Sequence, residues 1–361
     1  MKRVFGMTVA ATLFALAAGA DEAADRFARI HAEFLKDGRK TGLEGVRIET
    51  PAVKHTAERW LSADGRRSAV LVTNGDAEPR TFAVEAPGWF YSAHEVAAPW
   101  GVRREDPIPA GASRLYAFIN PPRSPYPVAE GAPETLKPVP GLGYMRGDYD
   151  GKHYRYFDIL HGIAAAGGKD FDCIWLGDSI THFWQAGGKD AVAREQLYKR
   201  KFGGLRILNA GMGGITVQQL LWNIVCGGFL DGCKAKCVTV LIGTNNVWND
   251  SPEDIAKGIE ACLKEIRIRQ PQARVLLISL LPRDVRAKYD EKTANEVSAK
   301  IVAVNRIIRA FADGRDVLWI DLHDRYLDAE GRAKKELFKD GTHPSVAGYE
   351  IWADAILPHL Q

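Results

Sequence analysis

What the chain lacks narrows its class. Five cysteines in 361 residues are too few for a disulfide scaffold, and odd in number. Basic and acidic side chains nearly cancel, 48 Lys and Arg against 45 Asp and Glu, and Lys2 and Arg3 sit in a leader-like segment. No surplus of either sign is left to draw a nucleic acid or another polyanion. Beyond residue 20 no stretch is apolar for long enough to cross a bilayer. Three motifs are also missing. Without Gly-x-Ser-x-Gly the α/β-hydrolase layout is disfavoured. Without His-Glu-x-x-His and Gly-x-x-x-x-Gly-Lys the obvious metalloprotease and nucleotide readings fall away.

What is present divides the chain into four stretches. Residues 1–20 have the parts of a secretory signal: Lys2 and Arg3, an apolar core from Val9 to Ala18, and Ala18-Gly19-Ala20 before Asp21. The mature protein is therefore expected to be exported, periplasmic or secreted, after cleavage near Ala20. In such a compartment one pair among Cys226, Cys233 and Cys237 is able to bridge, and the spacing leaves the pairing open. Cys173 and Cys262 fall on a predicted strand and a predicted helix as buried thiols.

Residues 21–120 open with a helical stripe, Phe27, Ile30, Phe34 and Leu35. Short alternating runs then follow at 68–73, 80–85, 89–94 and 113–118. Asp64-Gly65, Asn74-Gly75-Asp76, Pro87-Gly88 and Pro109-Ala110-Gly111 separate them as turns. This spacing predicts a small antiparallel β-sandwich, similar in pattern to the modules attached to many glycan-active enzymes. Trp60, Trp89, Tyr91 and Trp100 are either its core or a sugar-stacking face. Residues 121–140 hold seven of the eighteen prolines. That composition predicts a stiff extended linker over 121–143.

From residue 144 to 361 helix and strand alternate. Strands are expected at 171–176, 205–208, 237–242, 273–278 and 316–320, with helices over 154–166, through Val217, Leu220, Leu221 and Ile224, and over 252–269, 295–312 and 344–357. Such alternation predicts a doubly wound parallel sheet, covered on both faces and flavodoxin-like. Four loops stand out: Gly177-Asp178-Ser179; the cluster Gly211, Gly213, Gly214; Gly243-Thr244-Asn245-Asn246; and Asp340-Gly341-Thr342-His343. Three of them follow predicted strands directly, so in a parallel sheet they gather on one edge. Gly177 reads as permission for an unusual backbone angle before Asp178 and Ser179, both helix-start residues.

The chemistry of the four loops is complementary. A serine hydroxyl becomes a useful nucleophile when an imidazole takes its proton and a carboxylate holds that imidazole. Asp340 and His343, three residues apart, suit that pairing. Ser179 N–H, Gly214 N–H and the Asn245 amide are candidate donors for an oxyanion. Singly each has a plainer reading, Ser179 as a helix cap, Gly214 as a turn glycine and Asn245 as a strand-end cap. His182 reads as a rim residue, and His94, His153, His161, His323 and His359 lack the partners of metal ligands. The run Lys199-Arg200-Lys201 reads as a solvated helix end.

Together these blocks resemble the SGNH, or GDSL, hydrolase family over nearly all of residues 144–361. Asn209-Ala210-Gly211-Met212-Gly213-Gly214, Leu221-Trp222, Gly243-Thr244-Asn245-Asn246 and Gln270-Pro271-Gln272-Ala273-Arg274 are similar to the branch of platelet-activating-factor acetylhydrolase catalytic subunits and bacterial acetylesterases. The resemblance implies Ser179 as nucleophile, Gly214 and Asn245 as oxyanion donors and Asp340 with His343 as the base pair. It departs at Ile215, where that branch commonly has an acidic residue, which turns the expectation away from phospholipids. The expected activity is removal of small acyl groups, acetyl above all, from an acylated glycan or another small ester. Neither metal nor organic cofactor is required. The alternatives are a lipid esterase or lysophospholipase, and a glycan-binding protein with a vestigial core. The sequence assigns no oligomeric state.

Overall fold

The structure is a computed structural model describing residues 38–62, 67–86, 89–95, 106–119, 126–139, 155, 159, 162, 163, 166, 169–185 and 188–360. The expected leader, the helical stripe at 27–35, the turns at 64–65 and 87–88, Trp100, His153, His161 and most of the helix over 154–166 lie outside these residues. So do the side chains at 67, 89–95 and 119, among them Trp89, Tyr91 and His94. The chain divides into two compact units, the first holding the described residues up to 119 and the second those from 126 onward.

The first unit is antiparallel. Strands β1 (Arg39–Thr41), β2 (Arg47–Glu49), β3 (His55–Leu61), β4 (Arg67–Asn74), β5 (Ala83–Glu85), β6 (Trp89–Glu95) and β7 (Ser113–Ile119) form two sheets. One has the order β1-β3-β4-β7-β6 and the other is the pair β2-β5. Alternation puts Val70 and Val72 of β4 and Tyr116 and Phe118 of β7 on one face, where they join Phe82, Val84 and Ile108 in a buried core. Trp60 pairs across to Ala69 and lies half-buried, 5.9 Å under the Lys40 ammonium.

The second unit is the α/β body. Strands β8 (Phe171–Gly177), β9 (Ile207–Gly211), β10 (Ala235–Leu241), β11 (Arg274–Ile278) and β12 (Val317–Ile320) form one five-stranded sheet in the order β12-β11-β10-β8-β9. All its ladders are parallel. This is the flavodoxin-like order, and its switch point lies at β8, flanked by β9 and β10. The helices are α1 (Ser179–His182), α2 (Ala191–Phe202), α3 (Val217–Val225), α4 (Pro252–Arg269), α5 (Glu291–Arg309) and α6 (Val346–Ile356).

Local chemistry explains most helix boundaries. Ser251 accepts from Asp254 N–H at 3.1 Å and Pro252 takes the first position, so α4 starts where its proline predicts. Asp290 accepts from Thr293 N–H at 2.8 Å and starts α5 four residues before the expected Asn295. The final helix opens after Pro344, capped by Ser345.

Two expectations are corrected. The segment expected to be a stiff extended linker carries a 3-10 turn at Glu134–Leu136, within the second unit, where Thr135 is buried and its hydroxyl donates to Asp254 O at 2.6 Å. Thr135 also stands against Gly258 of α4, where a methyl group would collide. Proline stiffens a chain without keeping it off a surface. No pair among Cys226, Cys233 and Cys237 bridges, for none of the five cysteines is in a disulfide; Cys237 faces Cys173 across β10 and β8 instead. The run Lys199-Arg200-Lys201 is the solvated end of α2, as expected, and it carries surface ion pairs: Lys199 reaches Glu195 at 2.6 Å, Arg200 reaches Glu350 at 2.9 Å, and Lys201 reaches Asp354 at 2.5 Å.

Candidate active site

A helix of four residues cannot hold itself together, because nucleation costs more than one turn returns. Helix α1 persists because its surroundings fix it. Asp178, fully buried, accepts from Ile180 N–H at 2.9 Å as its N-cap. At its other face the Tyr349 hydroxyl donates to Ile180 O at 2.8 Å. Below lies an aromatic cluster in which Trp184 meets Tyr349 at 4.5 Å and Trp175 meets Phe202 at 5.1 Å. Ser179 therefore emerges at the C-terminal end of β8 on a rigid support.

Gly177 does not have the unusual backbone angle expected of it; it is absent from the glycines with positive φ. Its requirement is space, since a Cβ there would collide with the Thr181 side chain and the Leu241 carbonyl. The cluster that follows β9 also divides. Gly211 belongs to the strand, paired with Gly177, and a methyl there would meet the backbone of Thr181 and His182. Gly214 has φ 75, a left-handed conformation that glycine adopts without strain. Strand β9 thus runs to residue 211, beyond the expected 208, because Ala210 and Gly211 are small enough to pass under α1.

Three residues far apart in sequence meet at Ser179. His343 Nε2 lies 2.8 Å from Ser179 Oγ, and its Nδ1 lies 2.6 Å from Asp340 Oδ2. Asp340 Oδ1 accepts the N–H groups of His343 at 2.8 Å and Thr342 at 3.1 Å. Partial burial pushes the Asp340 carboxyl up, but the His343 side chain, its N–H, its charge and the Thr342 N–H together hold it well below the usual carboxylate range. Asp340 thus stays an anion, a partner able to orient the imidazole and to stabilise its protonated form. Phe183 packs its ring 4.7 Å from that of His343.

Asp178 behaves in the opposite way. Burial raises its pKa to about 6, against the lowering effect of the Ile180 N–H and of the His343 and Arg283 charges. It serves as the cap under Ser179, and His343 takes its carboxylate from Asp340.

The donor loops sit on either side. β9 and β10 flank β8, and Gly177 pairs with both Gly211 and Leu241. The loops after the three strands are therefore neighbours at one edge. Asn245 Nδ2 donates to Ile215 O at 2.8 Å, tying the third loop to the second. An amide nitrogen carries two hydrogens, so this bond orients the group and leaves one for a ligand. Asn246 Oδ1 accepts Val217 N–H at 2.9 Å, so α3 starts against that same loop.

Sequence reasoning missed two arginines. Arg283, from the loop after β11, donates from Nη1 to Thr244 O at 2.9 Å and from Nε to Thr342 Oγ1 at 3.3 Å. It links the loop bearing Asn245 to the loop bearing Asp340 and His343. Arg155 donates to Gly211 O at 3.1 Å and to Asn209 O, holding the end of β9. Neither belongs to a motif that spacing alone would flag. Among the described residues, His182 is half-buried against Phe183, and buried His323 bonds Asp324 at 3.2 Å. A cleft of about 1010 Å³ borders Asp340 and Gly341 but neither Ser179 nor His343. It is the hydrogen-bonded chain Ser179–His343–Asp340, not this cleft, that singles out the candidate site. Among the described residues no group of three or more His, Cys, Asp or Glu is placed to hold a metal ion. Nor is any helix there long and apolar enough to cross a membrane.

Comparison with known proteins identifies a family and several relatives to which the chain is similar. Residues 175–351 match the family described as GDSL-like lipase/acylhydrolase. The chain is 29% identical over 182 residues to platelet-activating factor acetylhydrolase IB subunit alpha2 of Homo sapiens, covering 50% of this chain and 72% of that protein. It is 28% identical over 198 residues to the alpha1 subunit of Bos taurus, covering 55% and 75%. Among solved structures it is similar to a GDSL-like lipase from Bacteroides thetaiotaomicron, with 19% identity, 57% and 96% coverage and a TM-score of 0.45. It is also similar to an acetylxylan esterase from Geobacillus stearothermophilus, with 20% identity, 52% and 93% coverage and a TM-score of 0.40.

Proposed function

Through residues 175–351 the chain belongs to the GDSL/SGNH hydrolase family, and from that premise we propose an exported carboxylic-ester hydrolase that removes acetyl groups from carbohydrate by acyl transfer to Ser179. The observation that carries the proposal is the continuous hydrogen-bonded path from Ser179 Oγ through both ring nitrogens of His343 to Asp340.

In this reading Ser179 Oγ attacks the ester carbonyl as His343 Nε2 takes its proton. Asp340 holds the other ring nitrogen as the N–H tautomer and stabilises the imidazolium. The negative charge that develops on the carbonyl oxygen is met by the N–H groups of Ser179 and Gly214 and by the second amide hydrogen of Asn245. His343 then returns its proton to the departing alcohol, and a water, activated the same way, releases the acetate. Every step uses groups of the chain itself.

Acetyl as the acyl group is supported by the relatives, which are named acetylhydrolases. Carbohydrate as the remainder is supported by the antiparallel unit and by the leader-like residues 1–20. The family's own description as lipase favours a second reading, a lipid esterase.

Ser179→Ala tests the mechanism. It is expected to abolish cleavage of acetyl esters and labelling by a fluorophosphonate probe while the circular dichroism stays that of the parent; an active variant would refute the assignment. Rates on acetylated xylan against long-chain esters separate the two substrate readings, and a strong preference for long chains would overturn the glycan one.

A further inference from the structure

Beside the donor loop stands an aromatic surface that the reaction above does not use. Trp248 closes the 3-10 turn Asn246–Trp248 that follows Asn245, and 37% of it is exposed. Tyr289, from the segment before α5, is 48% exposed and lies 5.0 Å from Trp248 with its ring tilted 39°. The Arg283 guanidinium lies 5.4 Å over the same indole. The same side chain donates to Thr244 O, one residue before Asn245, and to Thr342 Oγ1, between Asp340 and His343.

Two large rings left open to solvent are not core packing. The indole is nevertheless fixed in place, because the cation over it is anchored to the loops that carry Asn245 and His343. Flat aromatic faces bury apolar surface at little conformational cost and keep a polar edge wet. A pyranose ring is the matching shape: one face of axial C–H bonds lies on an indole, and its rim of hydroxyls accepts hydrogen bonds from a nearby guanidinium. A flexible acyl tail has no such rim for the guanidinium to meet.

We infer that Trp248, held by Arg283, and the Tyr289 ring beside it form a sugar-stacking subsite for the alcohol portion of the ester, and so favour a carbohydrate leaving group. The inference rests on the esterase reading above and adds to it where the sugar lies. The stacking supplies binding and orientation, so its loss is read mainly in KM.

The experiment compares wild type with Trp248→Ala, Trp248→Phe and Tyr289→Ala on acetylated xylo-oligosaccharide and on ethyl acetate. Binding of unacetylated xylo-oligosaccharide to Ser179→Ala is measured by calorimetry with and without the second change at Trp248. For Trp248→Ala the ratio of kcat/KM on the oligosaccharide to that on ethyl acetate is expected to fall at least tenfold. The fall should come through KM, with loss of oligosaccharide binding. Trp248→Phe should recover most of it, and Tyr289→Ala should show a smaller fall in the same direction. An equal loss on both substrates would make Trp248 merely structural and overturn the inference. So would a wild type that cleaves ethyl acetate through Ser179 but neither binds nor deacetylates the sugar. Failure of Ser179-dependent cleavage on both substrates would instead refute the esterase reading itself.

Discussion

The substitution Asp340→Asn examines the site at the point where its geometry is most explicit. Asp340 Oδ1 accepts two backbone N–H groups and Oδ2 faces His343 Nδ1 at 2.6 Å. Asparagine is the same size, and its single oxygen will keep the two backbone donors. Its NH2 group then faces Nδ1. Two N–H groups cannot bond each other, so the imidazole must move its proton to Nε2 and present a donor to Ser179 Oγ. No acceptor is left for the serine proton. Loss of a triad carboxylate by this tautomer switch lowers kcat about 10⁴-fold, equivalent to about 5 kcal/mol of transition-state stabilisation. KM should hardly change, because Asp340 touches the imidazole and not the ester. The assay is steady-state cleavage of ethyl acetate, with near-ultraviolet circular dichroism of the cluster around Trp175, Trp184 and Trp352 as the control for folding. A fall of less than tenfold with that signal intact, or a defect confined to KM, would refute the role given to Asp340.

Other outcomes follow from the same structure. In the proposed mechanism Asn245→Ala takes away one of the three oxyanion donors together with the tie to Ile215 O; kcat should drop by roughly 100- to 1000-fold, and a change below fivefold in kcat would remove Asn245 from the site. Gly177→Ala forces a methyl against the Thr181 side chain and the Leu241 carbonyl. Thermal unfolding should report a loss of about 1–3 kcal/mol, with kcat lowered as α1 shifts; an unaltered melting curve would disprove the close approach. Asp178 binds its proton more tightly in the folded chain, with its pKa raised by burial to about 6. Its contribution to stability is therefore full below about pH 4 and lost as pH rises through 6, by up to about 3 kcal/mol. Denaturant unfolding at several pH values should show that decline in the parent and a flatter profile in Asp178→Asn. Parallel profiles would rule out Asp178 as its source.

Much of the site was legible because its parts are local. Gly177-Asp178-Ser179 and Asp340-Gly341-Thr342-His343 each carry their chemistry within four residues, and the apolar run before Ser179 marks a buried strand. The parallel order also followed from the alternation of elements, since adjacent parallel strands require a covering crossover. Proline and side-chain caps announce helix starts, and α4 begins at Pro252 for that reason. Where the cap was overlooked, as at Asp290, the boundary moved.

Tertiary structure alone decided the rest. Gly177 is required by the neighbours α1 and β10, not by its own backbone angle. Arg283 matters because folding brings Thr244, Thr342 and Trp248 around one guanidinium. The proline-rich segment lies on α4 because Thr135 finds a carbonyl acceptor there. The amino-acid order fixes what each residue can donate, accept or bury; which partner it meets depends on chain segments that lie from tens of positions to well over a hundred away. Reach across the sequence is set by sheet order and helix packing, so the imidazole and the hydroxyl share a hydrogen bond only in the folded chain.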